Sequence, residues 1–150
     1  MIEELKSLDE LVLEAERQGV ALSELTLRLQ VDTLKTTRQE LLAKMRENLM
    51  TMRQSAENGR KETRSASGLS GGLAGRLEGH SAGLLGEVAH RAAVYALAVA
   101  EHNACMGRIV AAPTAGSCGI LPGVLLALGE LCGITDDALV MGLFNAAAVG

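Results

Sequence analysis

The sequence predicts an all-α fold from three observations. Apolar residues in the N-terminal half recur three or four positions apart, the spacing of one helix face. The C-terminal half is rich in Ala, Leu, Val and Gly and carries five charged residues beyond position 92, which is typical of buried helices. Tyr95 and Phe144 are the chain's single Tyr and Phe, and Trp is absent, so a core of small and aliphatic side chains is expected. We therefore predict a helical domain with a long amphipathic N-terminal helix and small-residue-rich buried helices around a loop containing Pro and Gly.

Composition narrows the class of protein. The 150 residues and a hydrophobic content of 48% suit one domain with a substantial core. The formal net charge of −4 argues against nucleic acid as a partner. Three cysteines and an acidic N-terminus without an apolar leader predict a reducing, cytoplasmic location. The uncharged residues 109–129 are interrupted by two prolines and several glycines, so we expect no membrane span.

The N-terminal half predicts helices with defined ends. Ser7 followed by Glu10 forms a capping-box pattern for a short helix ending at Gly19. Ser23 is expected to cap a second helix that reaches Ser55, about 50 Å if it is uninterrupted. Threonines at positions 33, 36 and 37 weaken its apolar stripe, so the pattern also allows a break there. A surface stripe of this kind is typical of a scaffold or packing arm.

The middle of the chain changes composition to Gly, Ser and charge over residues 58–72, as in a loop or linker. We therefore predict three parts, 1–57, 58–72 and 73–150. Gly79-His80-Ser81-Ala82-Gly83 matches the nucleophile-elbow pattern of hydrolases, but no strand-like segment precedes it. Ser81 is instead expected to cap a helix running from about Leu84 to Glu101.

Cys118 is predicted to lie on a loop. Pro113, Gly116 and Gly119 cannot continue a helix, and Pro122 suits the first turn of a new helix ending at Gly133. A helix N-terminus favours anions, so the loop is expected to stabilise a thiolate, a carboxylate or a cluster sulfide. Thr135 is expected to cap the last helix.

The run from Asn103 to Gly123, with its core Gly-Arg-Ile-Val-Ala-Ala-Pro-Thr-Ala-Gly-Ser-Cys-Gly-Ile-Leu-Pro-Gly, closely resembles the alpha-chain signature of bacterial iron-sulfur L-serine dehydratases. The resemblance extends more weakly through Ser67–Gly72, where Ser70 replaces a threonine of the family. Family alpha chains are much longer than 150 residues. The resemblance therefore implies a fragment that is inactive alone, with two further cluster cysteines expected beyond Gly150.

The resemblance implies a lyase that converts L-serine to pyruvate and ammonia. It implies a [4Fe-4S] cluster held by three cysteines, with one iron open to the substrate as a Lewis acid. A beta chain or beta domain and an oligomeric assembly are the implied partners. Pyridoxal phosphate is not expected, because the lysines all lie in the polar half of the chain: Lys6, Lys35, Lys44 and Lys61.

Carried over residue by residue, the resemblance makes Cys118 the cluster ligand. Contacts to the substrate carboxylate or to the cluster are expected from four neighbours, Thr114, Ala115, Gly116 and Ser117. Asn103 and Arg108 are expected to orient the loop or bind the carboxylate, with a salt bridge from Arg108 to Glu101 as the equal alternative.

The base that removes the Cα proton is less defined by the sequence. Histidine titrates near neutral pH, so His80, His90 and His102 are candidates. His102 ranks first because it is nearest to the loop, and His90 is expected to be structural. Cys132 is expected to be a small buried hydrophobe, and Cys105 does not match a family ligand.

Two other classes of function stay open. Cys118 could act as the nucleophile of a cysteine hydrolase with His102 as base, although no orienting third residue is visible. The helices could also form a non-catalytic interaction module in which the loop merely connects two of them. Iron and an exposed, low-pKa thiol would each argue against the interaction module.

Overall fold

The computed structural model describes residues 7–61 and 64–149, and these residues form helices and connections without a strand. The all-α prediction is confirmed. The α-helices are α1 (Leu8–Gln18), α2 (Leu22–Leu34), α3 (Arg38–Lys61), α4 (Leu73–Glu78), α5 (Gly86–Ala104), α6 (Ile120–Cys132) and α7 (Asp136–Val149). Two one-turn 3-10 helices, Gly83–Leu85 and Ala115–Ser117, directly precede α5 and α6.

Local capping sets both ends of α1. The Ser7 hydroxyl accepts a hydrogen bond from the Glu10 N–H at 3.2 Å, and Gly19 closes the helix with a left-handed φ of 65°. Both predictions for α1 are confirmed. The predicted cap of α2 is wrong, because the extended residue is Ala21 and Ser23 already lies buried within the first turn.

The predicted long helix is broken into α2 and α3. Lys35 adopts a left-handed φ of 50°, so the helix cannot pass through it. The Glu40 carboxylate accepts hydrogen bonds from the Thr36 hydroxyl at 2.6 Å and the Thr37 N–H at 2.9 Å, which starts α3 afresh. The break therefore falls within the threonine segment, and the alternative of one uninterrupted helix is wrong. α3 has 24 residues, about 36 Å at the usual rise.

The chain divides into two compact units, residues 1–46 with 137–150 and residues 47–136. In the first unit Leu27 and Phe144 are fully buried, and Arg46 lies 2.9 Å from Asp137. The three-part division at residues 57 and 72 stays a prediction. α3 continues to Lys61, four residues into the segment predicted as a linker.

In the second unit α5 and α6 pack through small residues. A Cβ atom at Gly119 would lie 2.3 Å from the Ala96 carbonyl oxygen, and one at Gly123 would lie 2.7 Å from that of Ala92. The two backbones therefore approach more closely than any larger side chain would allow. This close approach confirms the small-residue packing expected of the C-terminal half.

Charged side chains join four helices of the second unit. Glu78 of α4 pairs with Arg60 of α3 and with Arg91 of α5, the latter at 2.9 Å. Arg91 also lies 3.7 Å from Glu130 of α6, which accepts a hydrogen bond from the Tyr95 hydroxyl. Burial, together with this hydrogen bond, raises the pKa of Tyr95 to about 12. These contacts fix where α3 to α6 meet.

The segment around Ser81 differs from its prediction. Ser81 is exposed, α5 begins only at Gly86, and the intervening Leu84 and Leu85 are exposed around a 3-10 turn. Ser81 therefore does not cap α5. Helix α4, rather than a strand, precedes it, so the nucleophile-elbow context is missing.

One apolar stretch, Ala115–Cys132, is long and apolar enough to cross a membrane by length and composition, with a mean hydropathy of 1.6. Its continuous helix, α6, has 13 residues. At the usual rise that is about 20 Å, which falls short of a hydrocarbon core of about 30 Å. The stretch is therefore weak evidence for a membrane span.

Candidate functional site

The cysteine loop, residues 113–119, is held by its own hydroxyl groups. The Ser117 N–H donates to the Thr114 hydroxyl at 3.3 Å, the Thr114 N–H lies 3.4 Å from the Ser117 hydroxyl, and the two hydroxyl oxygens are 3.0 Å apart. This reciprocal capping closes the 3-10 turn Ala115–Ser117. The loop and its position before α6 are confirmed, and Gly133 ends α6 with a φ of 68° as predicted. The 3-10 turn was missed, although Thr-x-x-Ser is its sequence signal.

Cys118 lies at the end of this turn, one residue before the N-cap of α6, and is 1% exposed. Burial raises the pKa of its thiol above the ordinary value, although the hydrogen bond from its own backbone N–H acts in the opposite direction. Burial therefore favours the protonated thiol over the thiolate that the helix N-terminus was expected to stabilise. A buried thiol loses its proton more readily when a metal ion binds the sulfur.

Part of the cysteine loop faces solvent. Thr114, Ala115 and Gly116 are exposed, and Ser117 is half-buried. The loop thus combines a buried thiol with accessible backbone and hydroxyl groups within five residues. Such groups can donate hydrogen bonds to a carboxylate.

Asn103 connects the last turn of α5 to this loop. Its side-chain amide donates a hydrogen bond to the Ala115 carbonyl at 3.1 Å. The contact fits the role of orienting the loop. The Arg108 side chain is 79% exposed, and its guanidinium lies 3.5 Å from the Glu47 carboxylate. The alternative salt bridge from Arg108 to Glu101 is wrong, because the Glu101 carboxylate is engaged by backbone N–H groups of α4.

His102 is buried at 8% exposure in the last turn of α5. The helix ends in a Schellman motif, with the Gly107 N–H bonded to the His102 carbonyl at 2.8 Å and Met106 at a left-handed φ of 64°. A Cβ atom at Gly107 would lie 2.2 Å from the His102 Cε1 and Nε2 atoms. The imidazole therefore packs against the Gly107 backbone, and a side chain at this position would displace the ring.

The remaining histidines have backbone neighbours. His90 Nε2 lies 3.0 Å from the Leu77 carbonyl, which accords with the structural role expected of it. His80 Nδ1 lies 2.6 Å from the Arg76 carbonyl on an exposed segment. Neither contact involves the cysteine loop.

The three cysteines do not form a ligand set. Across residues 7–61 and 64–149, no three His, Cys, Asp or Glu side chains are placed to hold a metal ion together. Cys105 is half-buried, and Cys132 is exposed at the last residue of α6. The prediction that Cys132 is buried was wrong, because this residue ends α6 and its side chain is exposed. Within the described residues, Cys118 therefore offers one thiol of the type that ligates iron-sulfur clusters and does not belong to a group of three possible ligands.

Comparison with known proteins extends the resemblance over the whole chain. The family model described as serine dehydratase alpha chain matches residues 5–150. A probable L-serine dehydratase alpha chain of Bacillus subtilis (strain 168) is 31% identical over 148 residues, 97% of this chain and 49% of that protein. The L-serine dehydratase alpha chain of Peptoniphilus asaccharolyticus is 37% identical over 67 residues, 45% of this chain and 23% of that protein.

Over a shorter stretch, another relative has a higher sequence identity to this chain. The L-serine dehydratase TdcG of Escherichia coli (strain K12) is 66% identical over 32 residues, 21% of this chain and 7% of that protein. No solved structure matches significantly. The chain spans about half the length of the Bacillus subtilis relative. From the match of the family model to nearly every residue, the chain belongs to the serine dehydratase alpha chain family.

Proposed function

We propose that this chain is part of the alpha chain of an L-serine dehydratase, the lyase that converts L-serine to pyruvate and ammonia. The observation that carries the proposal is the ordered cysteine loop in a chain of this family. The cysteine loop contains a buried thiol and accessible backbone groups, and the side-chain amide of Asn103 anchors it. Catalytic groups held in place in advance lower the entropic cost of reaching the transition state.

Cys118 fits the ligand type of an iron-sulfur cluster, which thiolates hold. Two further cysteine ligands would come from polypeptide corresponding to the half of the Bacillus subtilis relative that this chain does not span. When bound, a [4Fe-4S] cluster with one open iron would supply a Lewis acid that makes the serine hydroxyl a better leaving group.

The chain's own residues would bind and orient L-serine. Backbone N–H groups at Ala115 and Gly116, with the hydroxyls of Thr114 and Ser117, donate to the substrate carboxylate. Asn103 keeps the loop in position through the Ala115 carbonyl. Arg108 is exposed enough to bind the carboxylate through two N–H groups in place of its long contact with Glu47.

His102 is the proposed base. Its imidazole is held against Gly107, so the ring position is fixed before the substrate arrives. The Cα proton of L-serine passes to this base, the electron pair left behind forms the Cα=Cβ bond, and the Cβ–O bond breaks. The departing hydroxide takes the proton from the protonated base and leaves as water, so aminoacrylate remains and the base is restored. Aminoacrylate then tautomerises to an imine, and water hydrolyses the imine to pyruvate and ammonia.

The proposed assembly includes a beta chain or beta domain, in an oligomer that acts in the cytoplasm. A cysteine-hydrolase mechanism is less well supported, because burial raises the pKa of the Cys118 thiol and a nucleophile needs the thiolate. A non-catalytic interaction module is less well supported, because the chain belongs to the serine dehydratase alpha chain family.

The test is a pyruvate assay with L-serine. The chain continued to its natural C-terminus, with its beta partner, is reconstituted anaerobically with iron and sulfide. We expect pyruvate formation that requires iron and is lost in air. Equal activity in the iron-free protein would contradict the cluster mechanism, and no pyruvate from the iron-loaded assembly would contradict the proposed substrate.

A further inference from the structure

Glu101 is a buried carboxylate whose role the sequence did not reveal. It lies in the last turn of α5 and is 3% exposed. Its Oε1 accepts a hydrogen bond from the Leu73 N–H at 2.7 Å, and its Oε2 accepts one from the Ala74 N–H at 3.2 Å. The two donors are the first two residues of α4, so one side chain holds the start of another helix.

This contact replaces a local cap. The N-cap residue of α4 is Gly72, which has no side chain and adopts a left-handed φ of 79°. Burying a carboxylate is costly unless it is fully hydrogen-bonded. Two charge-assisted bonds compensate for that cost and leave a link between segments 27 and 28 residues apart in sequence.

The segment that Glu101 holds is itself ordered. In the Ser-Gly loop, residues 65–72, the Ser65 N–H donates to the Ser70 carbonyl at 2.7 Å. The Ser70 N–H donates to the Ser65 hydroxyl at 3.2 Å, and Ser65 is buried. Left-handed glycines at positions 68 and 72 let the chain close on itself. The loop is therefore a folded unit anchored at its C-terminal end by Glu101.

The neighbour of Glu101 on α5 is His102, and Asn103 follows. Three successive residues thus contact three segments: Glu101 the start of α4, His102 the Gly107 turn, and Asn103 the cysteine loop. From this arrangement we propose that Glu101 is a positioning residue, whose carboxylate ties the Ser-Gly loop and the start of α4 to the end of α5, and so keeps His102, the proposed base, and Asn103, the anchor of the cysteine loop, in place for L-serine. The inference rests on the proposed function.

The test compares Glu101→Gln with Glu87→Gln in the chain continued to its natural C-terminus, with its beta partner and reconstituted cluster. Glu87 is exposed in the first turn of the same helix. Glutamine at position 101 keeps one acceptor oxygen and places an NH₂ group against the second N–H donor. We expect kcat/KM per bound iron to fall about 10- to 100-fold in Glu101→Gln and to stay unchanged in Glu87→Gln.

Amide hydrogen exchange tests the positioning role of Glu101 independently of enzyme activity. Amide hydrogen exchange of residues 65–74 should accelerate at least about tenfold in Glu101→Gln, with the amides of α6 unchanged. Glu101→Asp, which keeps the charge on a shorter arm, should recover part of both properties. Unchanged exchange in residues 65–74, or a kcat/KM loss fully matched by lost iron or folded protein, would overturn the positioning role.

The two proposals fail in different ways. Absence of pyruvate formation by the wild-type assembly contradicts the proposed function and leaves the exchange comparison to decide whether Glu101 holds the loop. Normal wild-type activity with a fully active Glu101→Gln variant contradicts the positioning role alone.

Discussion

At the scale of single residues, the prolines and glycines around Cys118 predict its place on a loop, because the backbone preferences of these residues are local. Its raised thiol pKa was not predictable, since burial depends on residues distant in sequence. Glu101 was missed for the same reason, as its partners are 27 and 28 residues away. The sequence thus identifies which residues can react, and tertiary contacts decide their burial and their hydrogen-bond partners.

Met106 offers a test at this scale. It has a left-handed φ of 64° at the end of α5, and its side chain is 94% exposed. Met106→Gly removes the backbone strain and little packing, so we expect the free energy of unfolding to rise by about 0.5 to 1 kcal/mol. Chemical denaturation of the purified protein measures the change.

Met50→Gly is the matched control for Met106→Gly. Met50 is also exposed, at 67%, but lies inside α3, where glycine costs about 1 kcal/mol. The same chemical change should therefore lower stability at position 50 and raise it at position 106. Destabilisation by Met106→Gly equal to that of Met50→Gly would contradict the described end of α5.

At the scale of elements, ends fixed by neighbouring residues were predictable and ends fixed by distant packing were not. As expected, α1 begins after Ser7 and ends at Gly19, and α6 ends at Gly133, because a cap acts over a few residues. The start of α5 was placed too early, since the pattern gave no signal for a 3-10 turn with exposed leucines. The cap of α4 comes from another helix, which no local pattern contains.

Glu78 gives the prediction at this scale. Burial alone would raise its pKa, but the hydrogen bonds and charges of Arg60 and Arg91 outweigh burial and lower it below the ordinary 4.5. A lowered folded-state pKa stabilises the protein above the ordinary value, and this stabilisation disappears as the pH falls through the lowered pKa.

We therefore expect Glu78→Gln to lower the free energy of unfolding by about 1 to 2 kcal/mol at pH 7. The difference from wild type should shrink as the pH falls below about 4.5. Denaturation curves from pH 7 to pH 3 measure it, with Glu16→Gln, an exposed glutamate of α1, as the control. A difference that stays constant with pH would show that the carboxylate charge of Glu78 is not what joins α3, α4 and α5.

At the scale of the whole molecule, the fold class followed from composition. A chain with one Phe, one Tyr and no Trp can bury its apolar surface by packing helices closely, and Gly119 and Gly123 show how closely. The division into two units was not predictable, because residues 1–46 and 137–150 are joined by contacts between the two ends of the chain.

The family resemblance and the candidate site lie in the same stretch of the chain. Residues 103–123, which carry the resemblance, include the cysteine loop, and the family model extends over residues 5–150. The proposed chemistry depends on what Cys118 binds. Under the proposal Cys118, one residue before the N-cap of α6, would supply one thiolate ligand, and no group of three possible metal ligands occurs within the described residues.

The most direct test of this account is the iron content and the visible absorption of the cluster in Cys118→Ala. Both are measured anaerobically in the chain continued to its natural C-terminus, with its beta partner, and compared with Cys132→Ala, which replaces the exposed cysteine at the end of α6. We predict that Cys118→Ala loses the charge-transfer absorption and most of its iron, and that Cys132→Ala keeps both. A wild-type cluster in Cys118→Ala would contradict the assignment of Cys118 as a ligand.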